Sequence, residues 1–281
     1  MRLLTATAPS SFKLVLLGDL HIGSNGCCIE GLKRLLNRIK KDKSTYYVNM
    51  GDSVEAICSD DKRFHYVKGA EALPIQQCAM AVDLFRPVAS KCWAWLKGNH
   101  EDKLHRFGDI ANDLIARPLG VPYGGYVCKL SMSDKFGHLF KAYLWHGPLR
   151  GSVASNAKCY VQQQANMKAS VRRYLESKAS DCAVMAMGHT HKLLLAEPSP
   201  KLLMTDDTKQ LKASYLQPPE PGESYLEPDR RWYINTGSYL KSQILGDDSY
   251  AELAGYDPVE IGHIEITVQD RKITAVQRVV V

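Results

Sequence analysis

Short apolar runs alternate with longer amphipathic stretches through the first half of the chain, regularly enough to name elements. Residues 12–17 end in an unbroken apolar run (LVLL), which reads as a strand buried on both faces. Leu32, Leu35, Leu36 and Ile39 then recur at helical spacing and predict a helix over 29–42. A second strand follows at 45–50 (TYYVNM), a helix at 71–90, a third strand at 92–97 (CWAWLK) and a helix over 101–117, closed by Pro118. Trp93 and Trp95 alternate within that third strand and are expected in the core. The order βαβαβα favours a largely parallel sheet covered by helices.

Past Gly120 the pattern changes. Residues 126–132 and 139–145 read as neighbouring strands joined by a polar turn at 133–138, followed by a helix over 157–178 and a strand at 182–187. From 192 onward the chain is strand-rich and ends in a hairpin: GHIEITV, a polar QDRK turn, then ITAVQRVVV. Segment 198–229, rich in Pro, Glu, Lys and Asp, is expected to be an insertion or lid-edge loop within a single domain spanning 1–281.

Composition narrows the function classes without choosing among them. The apolar fraction of 45% excludes a wholly disordered chain. No apolar run approaches the roughly 18 residues of a membrane span, and the opening residues lack a sustained apolar segment for a secretory signal. A soluble, cytoplasmic protein without membrane partners is therefore expected. The net charge of +6 is a mild basic bias, and its densest basic run, Lys33 to Lys43, shares the helix with the apolar stripe and reads as that helix's solvated face. Eight cysteines are scattered without any Cys-x-x-Cys pair, so neither a thiolate zinc site nor a redox dithiol is signalled. Cys92 and Cys182 are expected in the core.

The chemistry gathers where predicted strands end. Five blocks follow apolar runs in order: Gly18-Asp19-Leu20-His21, Gly51-Asp52-Ser53-Val54-Glu55, Gly98-Asn99-His100-Glu101, Trp145-His146-Gly147 and Gly188-His189-Thr190-His191. A parallel sheet presents its carboxyl ends along one edge, where loops converge and ligands bind. A glycine beside a potential ligand in each block lets the backbone turn without a Cβ clash. In Asp19-x-His21 and His189-x-His191 residues two apart point the same way if extended, but a turn at the strand end can splay them toward two centres. Imidazole, carboxylate and one amide oxygen form a mixed set suited to manganese, iron, zinc or cobalt rather than calcium.

These blocks, in this order, resemble the calcineurin-like metallophosphoesterase superfamily, whose pattern is D-x-H, G-D-x-x-D/E, G-N-H-D/E, a His and G-H-x-H. The resemblance implies an α/β fold, a four-layer αββα sandwich of two mixed β-sheets flanked by helices. It implies two divalent or trivalent ions, manganese first and iron, zinc, cobalt or nickel after it. Asp19, His21 and His191 would hold one ion and Asn99, His146 and His189 the other, with Asp52 shared. A hydroxide between the ions would attack phosphorus in line, and His100 would stabilise or protonate the leaving oxygen. Glu55 stands where relatives carry an acid that orients His100. The implied function is two-metal hydrolysis of a phosphate ester, most directly a phosphodiesterase on a nucleotide or nucleic-acid-type substrate. A small-molecule phosphomonoesterase competes with that reading. A catalytically silent scaffold is the alternative of another class.

The remaining histidines, His65, His105, His138 and His263, lack a motif, and His65 is the first candidate for a substrate contact because its loop follows the Asp52 turn. Asn235-Thr236-Gly237-Ser238 resembles the family's N-x-G-S turn and reads equally as a tight strand-end turn or a substrate-facing loop.

Overall fold

The computed structural model describes residues 1–58, 73–149, 152–153, 156–246, 249–253 and 255–281. Two six-stranded mixed sheets stack face to face. In chain order the elements are β1 (Arg2–Thr7), β2 (Phe12–Leu17), α1 (Ile29–Lys41), β3 (Thr45–Asn49), α2 (Pro74–Phe85), β4 (Cys92–Leu96), α3 (Asn99–Asp102), α4 (Arg117–Leu119), β5 (Tyr123–Gly125), β6 (Val127–Asp134), β7 (Gly137–Trp145), α5 (Tyr160–Leu175), β8 (Val184–Met187), β9 (Leu193–Ala196), β10 (Leu202–Asp206), β11 (Leu211–Tyr215), β12 (Trp232–Thr236), α6 (Tyr250–Leu253), β13 (Gly262–Gln269) and β14 (Lys272–Val280). One sheet runs β14-β13-β2-β3-β4-β5 and the other β1-β6-β7-β8-β12-β9.

Strand periodicity explains the layers. In β2, Leu14 and Leu16 enter the core between the sheets, while Val15 and Leu17 pack beneath helices. The second sheet repeats this, with Val184 and Ala186 facing inward and Met185 and Met187 facing α5. Such strands bury both faces and so read as continuous apolar runs. Leu32, Leu35, Leu36 and Ile39 of α1 are buried while Lys33, Arg34, Lys40 and Lys41 are exposed, as their spacing implied. The result is the expected αββα sandwich. All eight cysteines are free, with Cys92 and Cys182 buried. Among the described residues no helix is long and apolar enough to cross a membrane.

Several boundaries differ from the sequence reading. The helix expected over 101–117 is broken: after α3 and a 3-10 turn at His105–Phe107, Gly108 turns at φ +109°. Asp109 then starts a π-helical stretch, Ala111–Ala116, its side chain accepting from the Asn112 N–H at 3.3 Å. Pro74 opens α2 and Pro87 ends it in a 3-10 turn. Trp93 and Trp95 are both core residues but in different layers, because the pairing of β3 with β4 slips by one residue beside Trp93. Strand β1 pairs parallel with β6; it lies at the sheet edge, mostly exposed, and so carries no apolar alternation.

Segment 198–229 holds the β10–β11 hairpin. Strand β9 runs antiparallel to β12, from Leu193 opposite Thr236 to Ala196 opposite Tyr233. The chain thus leaves the sheet at the amino ends of β8 and β12, away from their carboxyl edge. It returns there too, with the Leu226 N–H on the Ser180 carbonyl at 2.7 Å and the Arg231 guanidinium on the carbonyls of Glu176 and Ala179.

Candidate metal centre

Every block ends a strand at the same edge of the sandwich. Asp19 and His21 follow β2, Asp52 follows β3, and Asn99 and His100 open α3 beyond β4. His146 follows β7, and His189 and His191 follow β8. Both sheets therefore contribute. Left-handed backbone falls on the ligand residues themselves: Asp19, His21, Asp52, His189 and His191 have φ between +47° and +71°. For non-glycine residues this costs roughly 1–2 kcal/mol each, an expense concentrated at one point of the molecule. Of the adjacent glycines, Gly51 and Gly147 also turn, at φ +98° and +134°, whereas Gly98 and Gly188 serve close approach. A Cβ on Gly98 would stand 2.0 Å from Asp52 Oδ1, and one on Gly188 would stand 2.8 Å from Asp19 Oδ2.

Two groups of donors form. His21 Nε2 lies 3.2 Å from His191 Nε2, which lies 3.5 Å from Asp19 Oδ1. Asn99 Oδ1 lies 3.0 Å from His146 Nε2 and 2.7 Å from His189 Nδ1, and Asp52 Oδ2 lies 3.3 Å from His146 Nε2. Asp52 has a donor atom within 4.8 Å of those of His146 and His189 on one side and of His21 and His100 on the other. The seven residues predicted from sequence as ligands are thus brought together. His100 was expected to act only as a proton donor or charge stabiliser, yet it also comes within ligating distance of the group. His65 lies outside the described residues.

The donor chemistry fits a cation. His146 gives its Nδ1 hydrogen to the Met50 carbonyl at 2.9 Å, which turns the Nε2 lone pair toward two oxygens. Burial would lower the pKa of His146, but Asp52 and Asp19 raise it to about 10. Burial likewise opposes, and Glu55 outweighs it, at His21, raised to about 9. Asp52 is held well below the usual carboxylate range by His146, His100 and His21 against the effect of burial. Without an ion, protons take the place of positive charge among converging lone pairs, and metal binding displaces them.

Glu55 requires a correction. Its carboxylate sits on His21 Nδ1 at 2.8 Å and is 3.8 Å from His100 Nδ1. His100 Nδ1 donates instead to the Glu55 backbone carbonyl at 2.5 Å. The longer side chain carries the carboxyl past His100 to its neighbour. Burial holds the His100 imidazole neutral, its pKa lowered to about 4.

Sequence reasoning gave Glu101 no role, yet it ties two ligand loops together. It accepts from the N–H groups of Ser53 at 2.6 Å, Val54 at 3.3 Å and Gly98 at 2.8 Å. Its pKa is raised to about 7 by burial and by Asp52. A Gly three residues before a Glu at a helix start is a readable capping signal. The 235–238 turn faces inward: Asn235, Thr236 and Ser238 are buried, and the Ser238 hydroxyl and the Tyr239 N–H donate to the Asp19 carbonyl at 2.8 and 3.0 Å. It buttresses the turn that carries Asp19.

A family model described as calcineurin-like phosphoesterase matches residues 12–193. No curated protein matches the chain in a sequence search. Among solved structures, Haemophilus influenzae NAD nucleotidase is 12% identical, with 96% of this chain and 50% of that one covered and a TM-score of 0.43. A metallophosphoesterase from Sphaerobacter thermophilus is 14% identical, with 96% and 88% covered and a TM-score of 0.36. Chaetomium thermophilum Vps29 is 11% identical, with 95% and 97% covered and a TM-score of 0.34. The chain spans half the length of the Haemophilus protein. None of these superpositions carries a functional argument.

Proposed function

The chain belongs to the calcineurin-like phosphoesterase family, and on that footing we propose that it hydrolyses phosphodiesters of nucleotide or nucleic-acid type at a two-metal centre. The observation that carries the reading is the convergence of four imidazoles, two carboxylates and one amide oxygen from both sheets. Asp19, His21 and His191 would hold one ion, Asn99, His146 and His189 the other, and Asp52 both. Nitrogen and oxygen donors together make manganese the first ion to test. Bound cations supply Lewis-acid polarisation of the phosphoryl oxygens and a water acidic enough to ionise near neutral pH.

The chain's own groups supply the rest. Glu55 fixes the ring of His21, and the Met50 carbonyl fixes that of His146, which sets tautomer and basicity. Glu55 also adds a third carboxylate beside Asp19 and Asp52. Two divalent ions against these three carboxylates and the ionised water would leave the centre formally neutral. With its Nδ1 hydrogen committed to the Glu55 carbonyl, His100 acts through Nε2. An anionic substrate beside a buried neutral imidazole favours its protonated form, so the residue gains its proton as substrate arrives and gives it to the leaving oxygen.

The test is a screen of manganese-reconstituted protein on bis-p-nitrophenyl phosphate, p-nitrophenyl phosphate, cyclic nucleotides and short single- and double-stranded DNA. Faster turnover of the diesters is expected. Turnover of the monoester alone would refute the diesterase reading, and absence of all turnover with less than one tightly held metal per chain would leave a silent scaffold.

A further inference from the structure

The hydroxyl of Tyr126 is buried and has no hydrogen-bond partner among the described residues, although the residue as a whole is only half-buried. Surface tyrosines ordinarily do the reverse, sheltering the ring and keeping the polar tip wet. Here the ring takes the exposure and the polar end turns inward. Tyr126 lies between β5 and β6, its carbonyl accepting the His146 backbone N–H at 3.1 Å. Its ring meets the His146 imidazole edge-on, with centroids 5.4 Å apart. That ring contact sets the side chain beside the candidate ligand cluster, and burial first, then the charges of Asp52, Asp102, Asp19 and Glu101, keep the phenol protonated. By contrast Tyr47 and Trp95, whose buried polar atoms are also unpartnered, lie against Phe85 in the core beneath the helices.

A buried donor without an acceptor destabilises the protein that contains it. The cost is explicable where a ligand brings the acceptor. We propose that Tyr126 is a catalytic residue whose hydroxyl donates a hydrogen bond to a non-bridging oxygen of the substrate's phosphoryl group. The inference rests on the hydrolase reading above. A neutral donor fixed by packing and stripped of water needs no reorganisation when charge builds on that oxygen, which is where such donors act most strongly. The phenol keeps its proton throughout.

Tyr126→Phe removes one oxygen and keeps the ring against His146. On manganese-loaded protein, kcat for bis-p-nitrophenyl phosphate should fall roughly 100- to 1000-fold with metal content unchanged. The Kd for inorganic phosphate, read by calorimetry, should rise about tenfold. In metal-free protein the same substitution should raise Tm by about 2–4 °C, because it deletes an unsatisfied group. A purely structural role predicts the opposite sign, a lower Tm with phosphate affinity unmoved. Wild-type turnover combined with an unchanged kcat and phosphate Kd in the variant overturns the inference and leaves the hydrolase reading standing. A wild-type protein that neither turns over diesters nor binds phosphate overturns both.

Discussion

Gly98→Ala is the sharpest perturbation of the centre, because the side chain it adds has nowhere to go. The glycine has ordinary backbone angles, φ −109° and ψ −172°, so an alanine there meets no conformational strain of its own. Its Cβ would, however, stand 2.0 Å from Asp52 Oδ1, 2.4 Å from the Asp52 nitrogen and 2.6 Å from its Cγ. Restoring an ordinary 3.4 Å contact with the carboxylate requires the two loops to part by about 1.4 Å. That motion pulls the His100 N–H off Asp52 Oδ1, now at 2.8 Å, and opposes the Glu101 ties to Ser53 and Gly98. Overpacking of this kind costs about 1–3 kcal/mol of stability, and a displacement near 1 Å at a reacting centre costs about a hundredfold in rate. The assay is metal content by mass spectrometry and kcat on bis-p-nitrophenyl phosphate, beside a melting curve. Gly222→Ala is the control: it has open space but φ +87°, so it should lose stability without losing metal. A Gly98→Ala protein that keeps wild-type metal content and turnover would refute the fixed contact between the second and third ligand loops.

Glu55→Gln should weaken metal retention about 10- to 100-fold by loosening the ring of His21, read by chelator competition; unchanged affinity would show that the 2.8 Å contact has no orienting role. Addition of Mn²⁺ to stripped protein at about 100 times its Kd should stabilise the fold by about 2.7 kcal/mol, and a melting temperature independent of metal would contradict a preformed site. Away from the centre, burial would raise the pKa of Glu265, but His263 and Arg38 outweigh it and lower it to about 2. A folded-state pKa below the unfolded value gives stability that is complete above about pH 4.5 and is lost as pH falls toward 2. Glu265→Gln should therefore flatten the acid limb of the stability profile over that window, and an unchanged limb would dismiss the Arg38–Glu265–His263 cluster as its source.

The strands that carry the ligands were legible because burial on both faces writes long apolar runs, and each ended in a Gly beside a polar ligand. Strand β1 was not, since its exposed side chains carry no pattern. The break at Gly108 was hidden by helix-forming residues on either side. The residues that converge were legible from their blocks, but their pairwise geometry was not. One methylene decides whether Glu55 reaches His100 or His21, and chain order does not encode that reach. Left-handed backbone at Asp19, Asp52 and the paired histidines escaped notice because glycines nearby were the natural place to expect it. Tyr126 stands in no motif at all, and only its inverted burial marks it.

The cross-sheet origin of the ligands gives the centre a mechanical role. Asp19, His21, Asp52 and Asn99 come from loops of one sheet, and His146, His189 and His191 from the other. An ion gripped by both would act as a rivet through that end of the sandwich, where a seam of loops replaces the interlocked apolar side chains found deeper in. Stripping it should let this rim breathe while the distant segment 198–229 stays as it was, so amide exchange quickened by chelation should concentrate in the turns after β2, β3, β7 and β8.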